Sequence, residues 1–191
     1  MFFYLTLMNE NYPHPAMPEG AEEGILRGIH RLREGRDVQL LGSGTILREV
    51  EAAADLLRED FGVDAGVWSV TSFTELAREG MEAERWNLLH PGEEQRVPYV
   101  RSVLPDGPAV AATDYVRAFA EQIRPYVGGP YAVLGTDGYG RSDWRRVLRE
   151  FFEVDRRYVA LAALRSVAPE RAAEAIAKYG IDAHAEAPWR R

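Results

Sequence analysis

The stretch YAVLGTDGYGRSDWRRVLREFFEVD, residues 131–155, decides the fold of this chain. It opens with a short apolar run of aromatic and β-branched residues between glycines, which predicts a buried strand. The glycine-rich segment that follows predicts a turn. Ser142 and Asp143 are typical helix caps, and we expect a helix after them whose inward-facing residues are Trp144, Val147, Leu148, Phe151 and Phe152. Strand, turn and helix make half of a βαβ unit, and parallel sheets bind ligands or partners at such turns.

Predicted strands and helices also alternate in the chain before residue 131, and two further helices are predicted after residue 155. Apolar runs predict strands at residues 38–41, 63–70 and 108–112. Amphipathic segments predict helices at residues 46–60, 115–126, 158–167 and 169–179. A further helix is predicted to begin after a cap at Ser72 or Thr74 and to run to about residue 84. Residues 99–104 predict an edge strand or an extended arm. Together these segments predict an α/β fold, with a mainly parallel sheet of four or five strands and helices on both faces.

The first 35 residues have a different character from the rest. Residues 2–8 form a β-type run with no partner strand nearby, and residues 9–20 hold three prolines, which predicts an extended connector. Residues 21–33 predict a helix with one apolar stripe, made of Ile25, Leu26, Ile29 and Leu32. We therefore divide the chain into an arm, residues 1–35, and an α/β domain, residues 36–191.

Composition excludes several classes of function. The net charge of −7 argues against a nucleic-acid-binding surface. The chain has no cysteine, so disulfides, thiolate catalysis and cysteine metal sites are excluded. No apolar run approaches the roughly 20 residues that span a bilayer, and the N-terminal residues lack the basic region of a signal peptide. We expect a cytoplasmic protein without nucleic-acid or membrane partners.

The turn Gly42-Ser43-Gly44 is the first candidate site, because backbone amides between a strand and a helix can bind anions. The dinucleotide fingerprint would need a third glycine where Leu47 stands, and a phosphate-binding lysine is also missing. A tight βα turn is therefore favoured, with contact to an anion or another ligand as the alternative.

The second candidate site is the turn of residues 135–143, where Asp137, Tyr139, Arg141 and Asp143 lie among glycines. Arg141 could hold a carboxylate through two hydrogen bonds. This pattern favours an interface with a partner, with a plain turn and a small-ligand site as alternatives. Elsewhere the histidines are scattered without the spacing of metal ligands, so the residues alone predict no catalytic, cofactor-binding or metal site.

The sequence resembles the C-terminal domain of the homodimeric bacterial pyruvate dehydrogenase first component, a transketolase-like family that depends on thiamine diphosphate. The resemblance covers nearly the whole chain. Its motifs are MNENY at 8–12, PAMPEG at 15–20, LLGSG at 40–44, SVTSFTELAR at 69–78, RWN at 85–87, LGTDG at 134–138, GRSD at 140–143 and FEVD at 152–155.

This resemblance implies that the chain is the third domain of a longer enzyme, with the end of the second domain inside residues 1–35. The full-length enzyme would bind thiamine diphosphate and magnesium between its first two domains, decarboxylate pyruvate oxidatively and transfer the acetyl group to lipoyl. The implied partners are the remaining domains, a second subunit and the dihydrolipoyl acyltransferase component. The third domain would support dimer assembly and the architecture of the active site.

The family's catalytic residues belong to the first two domains, so none is carried over to this chain. Its magnesium–diphosphate motif is absent here, since Gly135-Thr136-Asp137-Gly138 only looks similar. We therefore expect no cofactor on this chain and no decarboxylation by it alone. The alternatives are a free-standing α/β module that binds a small anion or regulates another protein, and a sugar-acting relative of transketolase. The orphan run at residues 2–8 argues against the first, and the quoted motifs argue against the second.

Overall fold

The computed structural model describes residues 11–13 and 15–191, which form a five-stranded sheet covered by helices. The strands are β1 (Ile29–Arg33), β2 (Val38–Gly42), β3 (Ala65–Val70), β4 (Ala109–Ala112) and β5 (Tyr131–Leu134). Their order across the sheet is β1-β3-β2-β4-β5. Among the strands of the described residues, β1 runs antiparallel to its neighbour, β3, and the other pairs are parallel. The predicted α/β fold with a mainly parallel sheet is confirmed.

The helices connect the strands and cover both faces of the sheet. The α-helices are α1 (Glu22–Arg27), α2 (Leu47–Phe61), α3 (Phe73–Leu89), α4 (Tyr99–Val103), α5 (Arg117–Glu121), α6 (Arg145–Phe151), α7 (Arg156–Val167) and α8 (Ala172–Tyr179). Short 3₁₀ turns lie at Gly44–Ile46, Arg124–Tyr126, Pro169–Arg171 and Pro188–Arg190.

Side chains along the central strands alternate between two hydrophobic cores. Leu40, Val67 and Val110 belong to the core beneath α2 and α7. Leu41 and Trp68 face the opposite core, beneath α3 and α5. Because helices cover both faces, the parallel strands are apolar along most of their length. The polar exception in β2 is Gln39, whose buried amide donates to the Gly35 carbonyl and accepts from the Trp68 indole.

The single helix predicted over residues 21–33 is wrong. Gly28 ends α1 in the left-handed conformation, with φ +106°, which is common for glycine after a helix. A side chain could not replace it, because a Cβ atom there would lie 2.7 Å from the carbonyl oxygen of Ser72. The chain then turns into β1, where Ile29 is buried. Leu26, in α1, is 81% exposed, although the predicted stripe placed both residues on one buried face.

Other local expectations also differ from the structure. Residues 99–104 contain the helix α4 and are neither an edge strand nor an extended arm, and the helix predicted over residues 115–126 is reduced to α5 and a 3₁₀ turn. Trp144 and Val147, both expected to face inward, are 83% and 43% exposed, and Trp144 precedes α6. The boundary predicted near Gly35 falls after β1, a strand of the same sheet. The strand predicted at residues 2–8 lies outside the described residues.

Candidate functional site

The candidate site lies at the carboxyl ends of β2, β4 and β5. The two neighbouring strands β2 and β4 lead to opposite faces of the sheet, since β2 continues into α2 and β4 into α5. This divergence is a topological switch point, where open α/β sheets form their binding crevices. The Ser43 hydroxyl donates a hydrogen bond to the Thr113 hydroxyl at 2.9 Å, which ties the two diverging loops together.

The turn Gly42-Ser43-Gly44 is a close connection between β2 and α2. A Cβ atom at Gly42 would lie 2.7 Å from the Cα atom of Leu47, so the glycine lets the helix start directly above the strand. Gly44 adopts φ +54°, a conformation that favours glycine. The turn flanks the crevice, and its geometry is explained by packing.

A pocket of about 290 Å³ opens beside this turn, and we name it the carboxyl-edge pocket. Its wall combines arginines from the β5–α6 region, two threonine hydroxyls, one carboxylate and an apolar floor. The lining residues are Thr45, Ile46, Asp114, Thr136, Gly140, Arg141, Arg145, Leu148, Arg149, Phe152 and Val154. Such a mixture of charge and apolar surface can orient a small polar molecule.

Asp137 fixes the turn of residues 135–143 to the rest of the domain. Its carboxylate accepts hydrogen bonds from the backbone amide of Arg117, at 2.9 Å, and from the Nε atom of the same residue. The Thr136 amide donates to the Tyr115 carbonyl at 2.9 Å, and the Thr136 hydroxyl donates to the Asp114 carbonyl at 2.6 Å. Because both carboxylate oxygens of Asp137 are engaged, this residue positions the turn.

The other predicted site residues in this turn point in different directions. Tyr139 is 89% exposed and faces solvent. Arg141 lines the carboxyl-edge pocket and stacks over the Phe151 ring, with its Cζ atom 4.5 Å from the ring centroid. The Asp143 carboxylate accepts a hydrogen bond from the Trp144 amide at 2.7 Å and faces a wider groove of about 970 Å³. The structure therefore separates Tyr139, Arg141 and Asp143, which the sequence grouped together.

Glu49 is a buried charge that the sequence analysis missed. Its carboxylate, only 6% exposed, accepts hydrogen bonds from Arg149 at 2.9 Å and from the Arg156 side chain at 2.8 Å. Burial alone raises the pKa of Glu49, but the hydrogen bonds and charges of Arg156 and Arg149 outweigh it and hold the pKa below its ordinary value. The network joins α2 to α6 and α7 and so holds α6 beside the pocket. No sequence signal reveals it, because the partners lie about a hundred residues apart.

Within residues 11–13 and 15–191, no group of three histidine or carboxylate side chains is placed to hold a metal ion. Within that same part of the chain, no helix is both long and apolar enough to cross a bilayer.

The fold and the sequence together define the class of protein. Residues 28–155 match the model of the transketolase-like TK C-terminal domain family, and the chain belongs to this family. A solved transketolase from Leishmania mexicana is 20% identical, with a TM-score of 0.52, and the match covers 86% of this chain and 20% of that one. A split-gene transketolase, described as an inactive beta4 tetramer, is 19% identical with a TM-score of 0.50, over 73% of this chain and 42% of that one. These likenesses establish the fold.

Nearer relatives are bacterial proteins named pyruvate dehydrogenase E1 component. The protein of Pseudomonas aeruginosa is 58% identical over 196 aligned residues, which are 95% of this chain and 22% of the relative. The protein of Escherichia coli is 57% identical over 194 aligned residues, or 96% of this chain and 22% of the relative. The resemblance predicted from the sequence motifs is confirmed. The chain spans about 22% of the length of these relatives.

Proposed function

We propose that this chain is the C-terminal, third domain of a pyruvate dehydrogenase E1 component, where it supports dimer assembly and the architecture of the active site. The observation that carries the proposal is identity of 57–58% to proteins of that name along about 95% of this chain. In this proposal, residues 1–35 contain the end of the second domain and the connector, residues 36–191 form the third domain, and β1 of the arm adds an edge strand to the sheet of that domain.

The chemistry belongs to the whole enzyme in this proposal. Thiamine diphosphate and magnesium carry the oxidative decarboxylation of pyruvate, and the acetyl group passes to lipoyl on the dihydrolipoyl acyltransferase component in the cytoplasm. The chain itself is assigned no catalytic residue. The carboxylate of the glycine-rich turn, Asp137, is engaged by Arg117, so it does not suit a magnesium ligand. This supports placing the cofactor in the other domains.

Exposed apolar side chains after β4, after β5 and near the C-terminus support the assembly role. We name this set the aromatic rim, and its members are Tyr115, Val116, Phe119, Tyr139, Trp144 and Trp189. Arg117 links parts of this rim, because it bonds to Asp137 and its Cζ atom lies 5.1 Å from the Trp189 ring centroid. Clustered exposed aromatic residues mark interaction surfaces, since leaving them in water is costly. We propose that the remaining domains and the second subunit cover this rim. The relatives extend well beyond the part that this chain matches, so the full-length enzyme would contain those domains.

A chimera tests this assembly role. The corresponding region of the Escherichia coli relative is replaced by this chain, and dimer mass and pyruvate decarboxylation are measured. Tyr139→Ser and Trp144→Ser remove large side chains from the rim, and each should weaken dimerisation by about tenfold or more if the rim contains central interface contacts. Leu88→Ser is the matched control, because Leu88 is 78% exposed near the other end of the sheet, at the end of α3. It should leave the dimer intact.

A second measurement tests the division of labour. The isolated chain is assayed for pyruvate decarboxylation with thiamine diphosphate and magnesium, and the cofactor is titrated by calorimetry. The proposal requires no turnover by the isolated chain and activity in the chimera. Turnover by the isolated chain, an inactive but folded chimera, or unchanged dimerisation of both rim variants would contradict it.

A further inference from the structure

The carboxyl-edge pocket contains a hydrogen-bond acceptor that the protein leaves open. The Oδ1 atom of Asp114 is buried and has no hydrogen-bond partner among the described residues. The other carboxylate oxygen, Oδ2, accepts a long hydrogen bond from the Thr45 hydroxyl at 3.4 Å. Buried polar atoms are nearly always paired, because an unpaired one costs stability. An unpaired carboxylate oxygen on a residue that lines a pocket therefore points to a donor supplied by a ligand.

The same pocket contains a cation with open donors. Within the described part of the chain, the Arg141 guanidinium makes no hydrogen bond or ion pair, and it only stacks over Phe151. Arg149 is different, since it is held by Glu49 at 2.9 Å. A guanidinium with its donors unused can bind a phosphate or carboxylate through two parallel hydrogen bonds.

The position of the pocket in the fold is an independent indication of binding. Thr45 and Asp114 follow the two strands that diverge at the switch point of the sheet, and Thr136 follows the neighbouring strand β5. Ligands of open α/β sheets gather at this place. The apolar residues Ile46 and Leu148 also line the pocket, so its polar groups lie beside apolar surface, as in many ligand-binding sites.

From these observations we propose that the carboxyl-edge pocket binds a small anion that also carries a hydrogen-bond donor, either a hydroxyl or an ammonium group. The anionic group pairs with Arg141, and the donor reaches the open Oδ1 atom of Asp114. A plain anion would be repelled by the Asp114 carboxylate, and a plain cation would be repelled by the arginines. The proposal is independent of the assembly role, because it concerns the inside of the pocket and not the aromatic rim.

Three phosphate monoesters with the same anionic group test the inference on the 191-residue chain by calorimetric titration. Methyl phosphate has no donor beyond its phosphate, glycerol 3-phosphate adds hydroxyls, and 2-aminoethyl phosphate adds an ammonium group. At least one of the two donor-bearing esters should bind with a Kd of about 1 mM or lower, and about tenfold more tightly than methyl phosphate. Equal affinity for all three esters, or no binding of any, would overturn the proposal.

Matched variants locate the binding groups. Asp114→Asn should lower the affinity for the donor-bearing ester about tenfold and leave methyl phosphate binding unchanged or tighter. Arg141→Gln should lower the affinity for every ester about tenfold, because it removes the charge-assisted contact. Arg146→Gln changes the net charge equally at a nearby position in α6, but Arg146 does not line this pocket. Equal effects of Arg141→Gln and Arg146→Gln would mean that binding depends only on the net charge, and this would refute the proposed site. If a variant fails to fold, the comparison of the three esters on the unmodified chain still tests the proposal.

Discussion

Replacing Glu49 by glutamine should destabilise the domain more than any other single exchange of a carboxylate for an amide in α2. The side chain is 7% exposed and holds Arg149, itself only 17% exposed, together with the half-exposed Arg156. Glutamine keeps the shape and one acceptor oxygen, but it removes the negative charge and directs an amide group towards two cations. Arg149 would then be a buried charge without a counterion.

The size of the effect follows from the burial of the partners. Breaking a buried ion pair by removing one partner costs about 3–5 kcal/mol. Arg156 can be rehydrated at the surface and glutamine retains an acceptor, so we expect a loss of about 2–3 kcal/mol in the free energy of unfolding. For a chain of this length, that loss corresponds to a decrease in Tm of about 4–12 °C.

The pH dependence of the stability gives a second, independent test of the Glu49 network. The pKa of Glu49 in the folded state lies below its ordinary value of 4.5, because two arginines favour the ionised form. Its contribution to stability is therefore present above the unfolded pKa and is lost as the pH falls through the folded pKa. The gap in Tm between the unmodified chain and the Glu49→Gln variant should be full at pH 7 and should shrink below about pH 4.5.

Thermal unfolding followed by circular dichroism measures both effects. Glu59→Gln is the matched control, since Glu59 lies in the same helix, is exposed and makes no hydrogen bond or ion pair among the described residues. If Glu49→Gln unfolds at the same temperature as Glu59→Gln, or if its deficit is the same at pH 3 and pH 7, the buried network does not stabilise the domain as argued.

Three other perturbations test separate features of the fold. Gly35→Ala should lower the free energy of unfolding by about 1–3 kcal/mol in denaturant unfolding, because a Cβ atom there would lie 2.0 Å from a backbone nitrogen of β3. Gly92→Ala is the control and should be nearly neutral, because a Cβ atom at Gly92 would lie in open space. Burial, together with the hydrogen bond to Glu84, raises the pKa of Tyr126 to about 12 from 10.0, so its neutral form stabilises the fold below pH 10 and that contribution is lost between the two values. Tyr126→Phe should therefore lose less stability than the unmodified chain between pH 9.5 and 11, and equal losses would contradict the assignment. Ser72→Ala removes the hydroxyl that accepts the first-turn amide of α3 at 3.0 Å and should cost about 1 kcal/mol, and unchanged unfolding would mean that this cap contributes nothing.

The central strands and the edge strand β5 were predictable from the sequence, whereas the other edge strand, β1, was not. Strands β2 and β4 are buried on both faces, so they are mainly apolar runs, and Gln39 of β2 is the polar exception. The segment before them is ambiguous, because Ile25, Leu26, Ile29 and Leu32 fit one helical stripe although the segment divides into α1 and β1. The deciding residue is Gly28, whose position against Ser72 becomes clear only when α3 is in place.

The candidate site was predictable in part for a similar reason. Arg141 stood out because glycines surround it in a turn after a strand, and the structure places it in the wall of a pocket. Asp114 had no comparable local signal, because its importance comes from a buried, unpaired oxygen and from its place in a pocket that residues distant in sequence line together. Sequence patterns identify turns at the carboxyl edge, but only tertiary contacts decide which side chains meet there.

The two proposals concern one turn, and the structure separates their physical supports. Asp137 and Arg117 hold the side of the turn that faces the aromatic rim, through hydrogen bonds to the β4–α5 connection. Glu49 holds the side that faces the carboxyl-edge pocket, because its bond to Arg149 fixes α6 against α2. Loss of the Glu49 charge should therefore disturb the pocket more than the rim. A turn anchored twice in this way can present one face to a large partner and keep the other shaped for a small one.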